Sequence, residues 1–200
     1  LGRYRTAMGQ EARRGRLGAE DWARAALDVI GEQGVAAVAV EPIAVRLGAT
    51  KGSFYWHFPN RDALVTAALA RWEQEHTQAV IDGLDEAATP TERVRSILAS
   101  TVSADPLRAR VEVNLLAAAD HPLVAPTMDR VVRRRLATLR ALFAGAGFAA
   151  DEADRRAVLA YTTYVGHLQL MVRMPGLMPQ SRAARSAYLE TALGVITEGT

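Results

Sequence analysis

Cysteine is absent from the chain, which removes disulfides, thiolate metal sites and a catalytic thiol from consideration and fits a reducing compartment. No long uninterrupted apolar run is present either. The longest candidate, residues 157–174, is broken by His167, Gln169 and Arg173, whereas a membrane span needs roughly 20 mostly apolar residues. The first residues lack the apolar stretch of a secretory signal, so a cytoplasmic chain with no membrane attachment is expected. There is no alternating strand pattern, no internal repeat and no low-complexity tract. The sequence shows no HExxH, nucleophile elbow, phosphate loop or paired ligand spacing, so His76, His121 and His167 read as isolated histidines. The expectation is a non-enzyme with no catalytic or metal-ligating residue and no cofactor.

What is present is an ordinary globular composition, 50% hydrophobic over 200 residues, enough to bury a real core. Net charge is only +2, but it is unevenly spread: residues 1–61 carry +3 and residues 62–200 carry −1. Arg3, Arg5, Arg13, Arg14 and Arg16 against Glu11 make a basic arm, read either as a solvated terminus or as a segment that binds a polyanion through counterion release.

Helix punctuation recurs along the chain. Residues 19–33 carry Trp22, Ala26, Val29 and Ile30 on one stripe, with acids early and Gly34 as the stop. A short second helix holds Pro42 in its first turn, Ile43 and Leu47 on one face, and Gly48 at its end. Thr50 caps a third, which Pro59 ends, and Asn60 caps a fourth over about 61–83. Thr89-Pro90-Thr91-Glu92 and Asp105-Pro106 open the fifth and sixth. The seventh is expected over 122–144, the eighth from an Asp151 cap through Met174, and the ninth over 182–198 after Ser181. An all-α fold of about nine helices follows, divided into a head, residues 1–62, and a helical body, residues 63–200.

The stretch TKGSFYWHFPNR, residues 50–61, concentrates four of the twelve aromatic residues within five positions, beside the single lysine, Lys51. A helix buries one stripe, so not all four rings can face the core. At about 100° per residue from Lys51, Phe54 and Phe58 fall together near 300–340°, while Trp56 lies opposite, near 140°. Gly52 and Ser53 flank Trp56, and Tyr55 and His57 sit on the shoulders. Two short helices joined by Gly48-Ala49 form a helix-turn-helix layout, whose exposed crest suits base edges in a major groove and whose shoulders suit phosphates. Gly52, Ser53 and Trp56 are therefore expected at the bases, with Tyr55, His57 and the Thr50 cap at the backbone and Lys51 and Arg61 adding positive charge.

Residues 16–70 resemble the tetracycline-repressor (TetR) family of bacterial transcriptional regulators. The resemblance rests on Ala25-Ala26-Leu27, Ile43-Ala44, Leu47-Gly48, Lys51 to Phe58, and Arg61 with Leu64. It implies a three-helix DNA-binding head on a dimerising, ligand-binding helical core, with Tyr55, His57 and Arg61 at phosphates and residues 50–53 with Trp56 at the groove. Where many members place Thr or Ser before the second helix, this chain has Val38-Ala39-Val40, so Arg46 is expected to supply that contact instead.

A cytoplasmic transcriptional repressor is thus expected, binding double-stranded DNA at a palindromic operator as a homodimer through helices eight and nine and released by a largely apolar small molecule. Candidate ligand contacts are His76, Asn114, Tyr164, His167, Met171 and Met174, polar or adaptable residues among apolar stripes. Arg130, Arg133, Arg134, Arg135 and Arg140 on the seventh helix read as a solvated face paired with Asp151, Glu152 and Asp154.

Overall fold

The computed structural model describes residues 17–102 and 105–197, apart from the side chains of 101 and 102; the basic arm lies outside them. Nine α-helices and no strand occur among the described residues. They are α1 (Ala19–Gln33), α2 (Val40–Leu47), α3 (Lys51–Phe54), α4 (Arg61–Glu73, continued by a π-helical turn Gln74–Gln78 into Ala79–Asp82), α5 (Pro90–Val102), α6 (Pro106–Ala117), α7 (Ala125–Gly145), α8 (Ala150–Arg173) and α9 (Arg182–Thr197).

The sequence-encoded caps form. Asn60 Oδ1 accepts from the Ala63 amide at 2.9 Å and Asp105 Oδ1 from Leu107 at 2.7 Å. Thr89 and Glu92 make the reciprocal capping pair, and Ser181 Oγ accepts from Ala184. Two starts differ from expectation. α7 begins at Ala125 rather than Pro122, because residues 118–124 close as turns, with His121 Nδ1 taking the Leu123 amide. Asp151 lies inside the first turn of α8, where it favours the helix dipole, and Ala149 occupies the cap position.

One continuous core runs through α1 to α4 and on into α6 and α7. Trp22, Ile30, Ile43, Phe54, Leu64 and Trp72 are fully buried and are joined by Val111, Leu115, Met128 and Val131. Each such side chain contributes about 1.5–3 kcal/mol by leaving water. A second core joins α5, α7, α8 and α9 through Leu98, Phe143, Ala157 and Ile196.

α1 and α6 cross closely because Gly31 has no side chain. A Cβ there would stand 2.8 Å from Leu107 Cδ1 and 2.9 Å from Val111 Cγ2. Asn114 of α6 reinforces the crossing by donating Nδ2 to the Ile30 carbonyl at 2.8 Å and the Gly31 carbonyl at 3.2 Å, near the end of α1. Gly31→Val is expected to destabilise the fold by about 1–3 kcal/mol through overpacking. An unchanged urea midpoint would contradict so tight a crossing.

Candidate nucleic-acid interface and internal cavity

The head is built from the turn between α2 and α3. Gly48 adopts φ 63°, ψ 30°, a left-handed conformation open to glycine at little strain, and ends α2 with its amide directed back to that helix. Ala39, at the α2 cap position, supplies no side-chain bond. The entry to α2 is instead tied down by Arg61, whose Nη2 and Nε donate to the carbonyls of Val35 at 2.8 Å and Val38 at 2.7 Å while Nη1 pairs with Asp62. The Arg61 guanidinium, expected at a phosphate, is thus engaged inside the head.

α3 is shorter than the wheel assumed. Regular helix spans Lys51–Phe54, and a further turn follows, held by the His57 and Phe58 amides donating to the Phe54 carbonyl. Thr50 Oγ1 accepts from the Ser53 amide at 3.1 Å, and Ser53 Oγ donates to the Thr50 carbonyl at 2.8 Å. Phe54 is buried, edge-on to Trp22 with centroids 5.3 Å apart, and stacks on buried Phe58. These two rings anchor the segment and force their neighbours outward: Trp56 is 86% exposed and Tyr55 54%. Tyr55 is steadied edge-to-face against Phe54. Gly52, Ser53 and His57 lie on the same accessible surface, half-buried or exposed.

The nearby cations carry carboxylate partners. Lys51 pairs with Glu41, a hydrogen bond that raises the ammonium pKa and lowers that of the carboxyl. Arg46 holds Glu32 through two 2.9 Å bonds, which raises the guanidinium and lowers Glu32, and it lies 3.6 Å from Asp28. Burial nevertheless leaves the Asp28 carboxyl above its ordinary value. Such exposed pairs are worth little, so a phosphate can compete for either cation.

Behind the head, a cavity of about 140 Å³ opens between α4, α5, α6, α7 and α8. Its polar floor is an ion pair between buried Glu112 and largely buried Arg135. Arg135 binds Glu112, which is 2% exposed, and also donates to Thr77 Oγ1 at 2.9 Å, the His76 carbonyl at 3.2 Å and the Tyr164 hydroxyl at 3.4 Å. The π-helical turn of α4 supplies both Thr77 and the His76 carbonyl to this guanidinium. Arg135 also lies over the Trp72 and Tyr164 rings. Burial alone would lower the Arg135 pKa, but Glu112 more than offsets it and the guanidinium stays charged. Burial and Glu112 raise that of Tyr164. His76, on the cavity wall, is pushed down to about 3, first by burial and then by Arg108 and Arg135, so its imidazole is neutral.

Of the candidate ligand contacts, His76 and Tyr164 line this cavity. His167 and Met171 line a second, open one of about 710 Å³ beside Tyr188, on which the His167 ring stacks at 5.5 Å. Asn114 and Met174 line neither: Asn114 is spent on the end of α1, and Met174 is exposed just past α8. Arg140 does pair with Asp154 at 2.9 Å, but Arg135 leaves the expected solvated face. Glu112, Arg108 and Tyr161 of the lining were not expected.

The helix-turn-helix layout of α2 and α3 packs through a shared core on a helical body. Residues 23–68 match the family model described as bacterial regulatory proteins, tetR family. The tetracycline repressor protein class A from transposon 1721 of Escherichia coli is 43% identical over 58 residues, which span 28% of this chain and 27% of that repressor. A transcriptional regulator from Rhodococcus sp. Rha1 superposes with a TM-score of 0.77 at 23% identity, over 92% of this chain and 97% of its own. Bacillus subtilis FadR, in complex with stearoyl-CoA, gives a TM-score of 0.71 at 16% identity over 90% and 98%. The last two likenesses concern the fold. Over residues 23–68 the chain is similar to the tetR family, and beyond them the likeness is one of fold.

Proposed function

We propose that this protein is a transcriptional repressor that binds a palindromic operator as a dimer and leaves it when a small molecule occupies the inner cavity. The observation that carries the reading is the outward Trp56, held at the crest of a short turn by two buried phenylalanines. Ser53 and Trp56 reach base edges and Gly52 permits close approach. Tyr55, His57 and the Thr50 end of the turn take phosphates, and Lys51 and Arg46 exchange their carboxylates for the DNA backbone. Arg61 enters as a positioning residue that fixes the entry to α2. Repression follows the example of the tetracycline repressor that the head resembles.

Dimerisation through α8 and α9 is supported by apolar residues left exposed on them in the single chain, among them Val158, Leu159, Leu170 and Val195. Two heads about one helical turn of DNA apart then read two half-sites. The division into a head, residues 1–62, and a body, residues 63–200, gives each step its place, while the shared core carries the coupling. A ligand against His76 and Thr77 acts on the π-helical turn of α4, and one against Glu112 acts on α6, which grips the end of α1 through Asn114. Both routes shift the spacing of the heads by changing which arrangement is populated.

Tyr55→Phe should weaken binding to operator and random duplex alike, by about 1.5–3 kcal/mol per subunit for a lost hydrogen bond to a charged group. Trp56→Ala should change which duplexes are preferred. Fluorescence anisotropy on both duplexes separates the two effects, and equal losses from Trp56→Ala would reject its base-reading role.

A further inference from the structure

The inner cavity is small, mostly apolar and positively biased at its rim. Val80, Ile81, Ile97, Leu98, Leu139 and Leu168 make most of its wall. Its volume of about 140 Å³ is close to that of an engineered cavity of roughly 150 Å³ that holds benzene, so one six-membered ring fills it. Charge inside is balanced. All of the Arg135 donor directions are taken by Glu112, Thr77, His76 and Tyr164, which leaves this guanidinium nothing to offer a ligand.

Arg108 is different. It lines the same cavity, is exposed at its rim, and makes one long bond, 3.4 Å from Nη2 to the Glu75 carbonyl, with no salt-bridge partner among the described residues. Its field reaches inward, since it helps to hold His76 neutral. With Glu112 already neutralised by Arg135 and His76 uncharged, the lining carries one uncompensated positive charge, on Arg108. A cation is repelled there, and an uncharged ring gains only its burial. A carboxylate gains a two-pronged, charge-assisted contact as well.

We propose that the cavity takes a ring-sized aromatic monocarboxylate, benzoate being the simplest, with its ring among the leucines and isoleucines and its carboxylate on the Arg108 guanidinium. This deepens, and rests on, the reading of the chain as ligand-responsive.

The test is isothermal titration calorimetry of the full chain with benzoate, toluene and benzylamine, repeated on Arg108→Met and Arg108→Lys. Arg108 is exposed, so neither variant threatens the core. Benzoate should bind at least tenfold more tightly than toluene or benzylamine, Arg108→Met should bring it down to the level of toluene, and Arg108→Lys should keep part of the preference. Equal or tighter binding of toluene or benzylamine, a benzoate preference that survives Arg108→Met, or no heat from benzoate at millimolar concentration would each overturn the proposal. Duplex affinity, measured with and without benzoate, is a separate readout. Benzoate that binds as expected yet leaves duplex binding unmoved would count against the regulator reading and leave the ligand assignment standing.

Discussion

Glu112→Ala is expected to lower the unfolding free energy by about 3–5 kcal/mol, the largest effect of any single substitution considered for this protein. Glu112 is buried and Arg135 keeps only 12% of its side-chain exposure, and the guanidinium cannot shed its proton to escape the loss of its counterion. Removing the carboxylate leaves a full charge against the Trp72 and Tyr164 rings, with only neutral acceptors at Thr77, His76 and Tyr164. Replacing both partners removes that penalty: Glu112→Met with Arg135→Met should recover most of the loss, because paired charges in low dielectric gain little over apolar residues of similar volume. Denaturant unfolding of the single and double variants checks both. If the double variant is as unstable as Glu112→Ala, the pair acts through its shape or its bonds to the π-helical turn rather than through charge.

The second large effect concerns salt. Among the described residues, Lys51, Arg46 and Arg61 flank the reading turn, and each is already ion-paired. Much of the phosphate neutralisation should therefore come from the basic arm, residues 1–16, with its net charge of +4. Each neutralised phosphate contributes about −0.9 to the slope of log affinity against log salt, so deleting the arm should flatten that slope by about three to four units per subunit. Six to ten phosphate contacts in the intact dimer would weaken binding by roughly 10³ to 10⁵ between 50 and 200 mM salt. Duplex titrations at four salt concentrations give the slopes directly. An unchanged slope after deletion would identify the arm as a solvated terminus.

Much of the fold was legible because local signals and packing agree. Asn60, Asp105, Ser181 and the Thr89–Glu92 pair cap where their side chains suggest. The helical wheel separates Phe54 and Phe58 from Trp56 and Tyr55 even though regular helix stops at Phe54, since one further turn keeps nearly the same angular spacing. The cavity was less legible. A charged residue on a long helix ordinarily points to solvent, and Arg135 stands in a run of arginines. Its spacing from Met128, Val131 and Leu142 nevertheless places it on the buried stripe, and Glu112 has the same relation to Ala109 and Leu115. That pattern was a usable signal. The π-helical turn was not, and the Arg135 side chain that bonds it comes from another helix. The bonds of Asn114 were hidden for a related reason: the backbone carbonyls it satisfies lie more than eighty residues away.

If the exposed turn bearing Trp56 reads duplex DNA, its side chains must choose the bases that are bound. Selection of bound sequences from a random duplex pool at low ionic strength, run in parallel with the native chain and Trp56→Ala, tests it most directly. The native chain should enrich a two-fold symmetric sequence with half-site centres about 34–36 Å apart, or a multiple of that spacing. Trp56→Ala should alter the bases enriched within each half-site. Failure of the native chain to enrich any sequence, or the same half-site from both proteins, would contradict duplex reading by this turn.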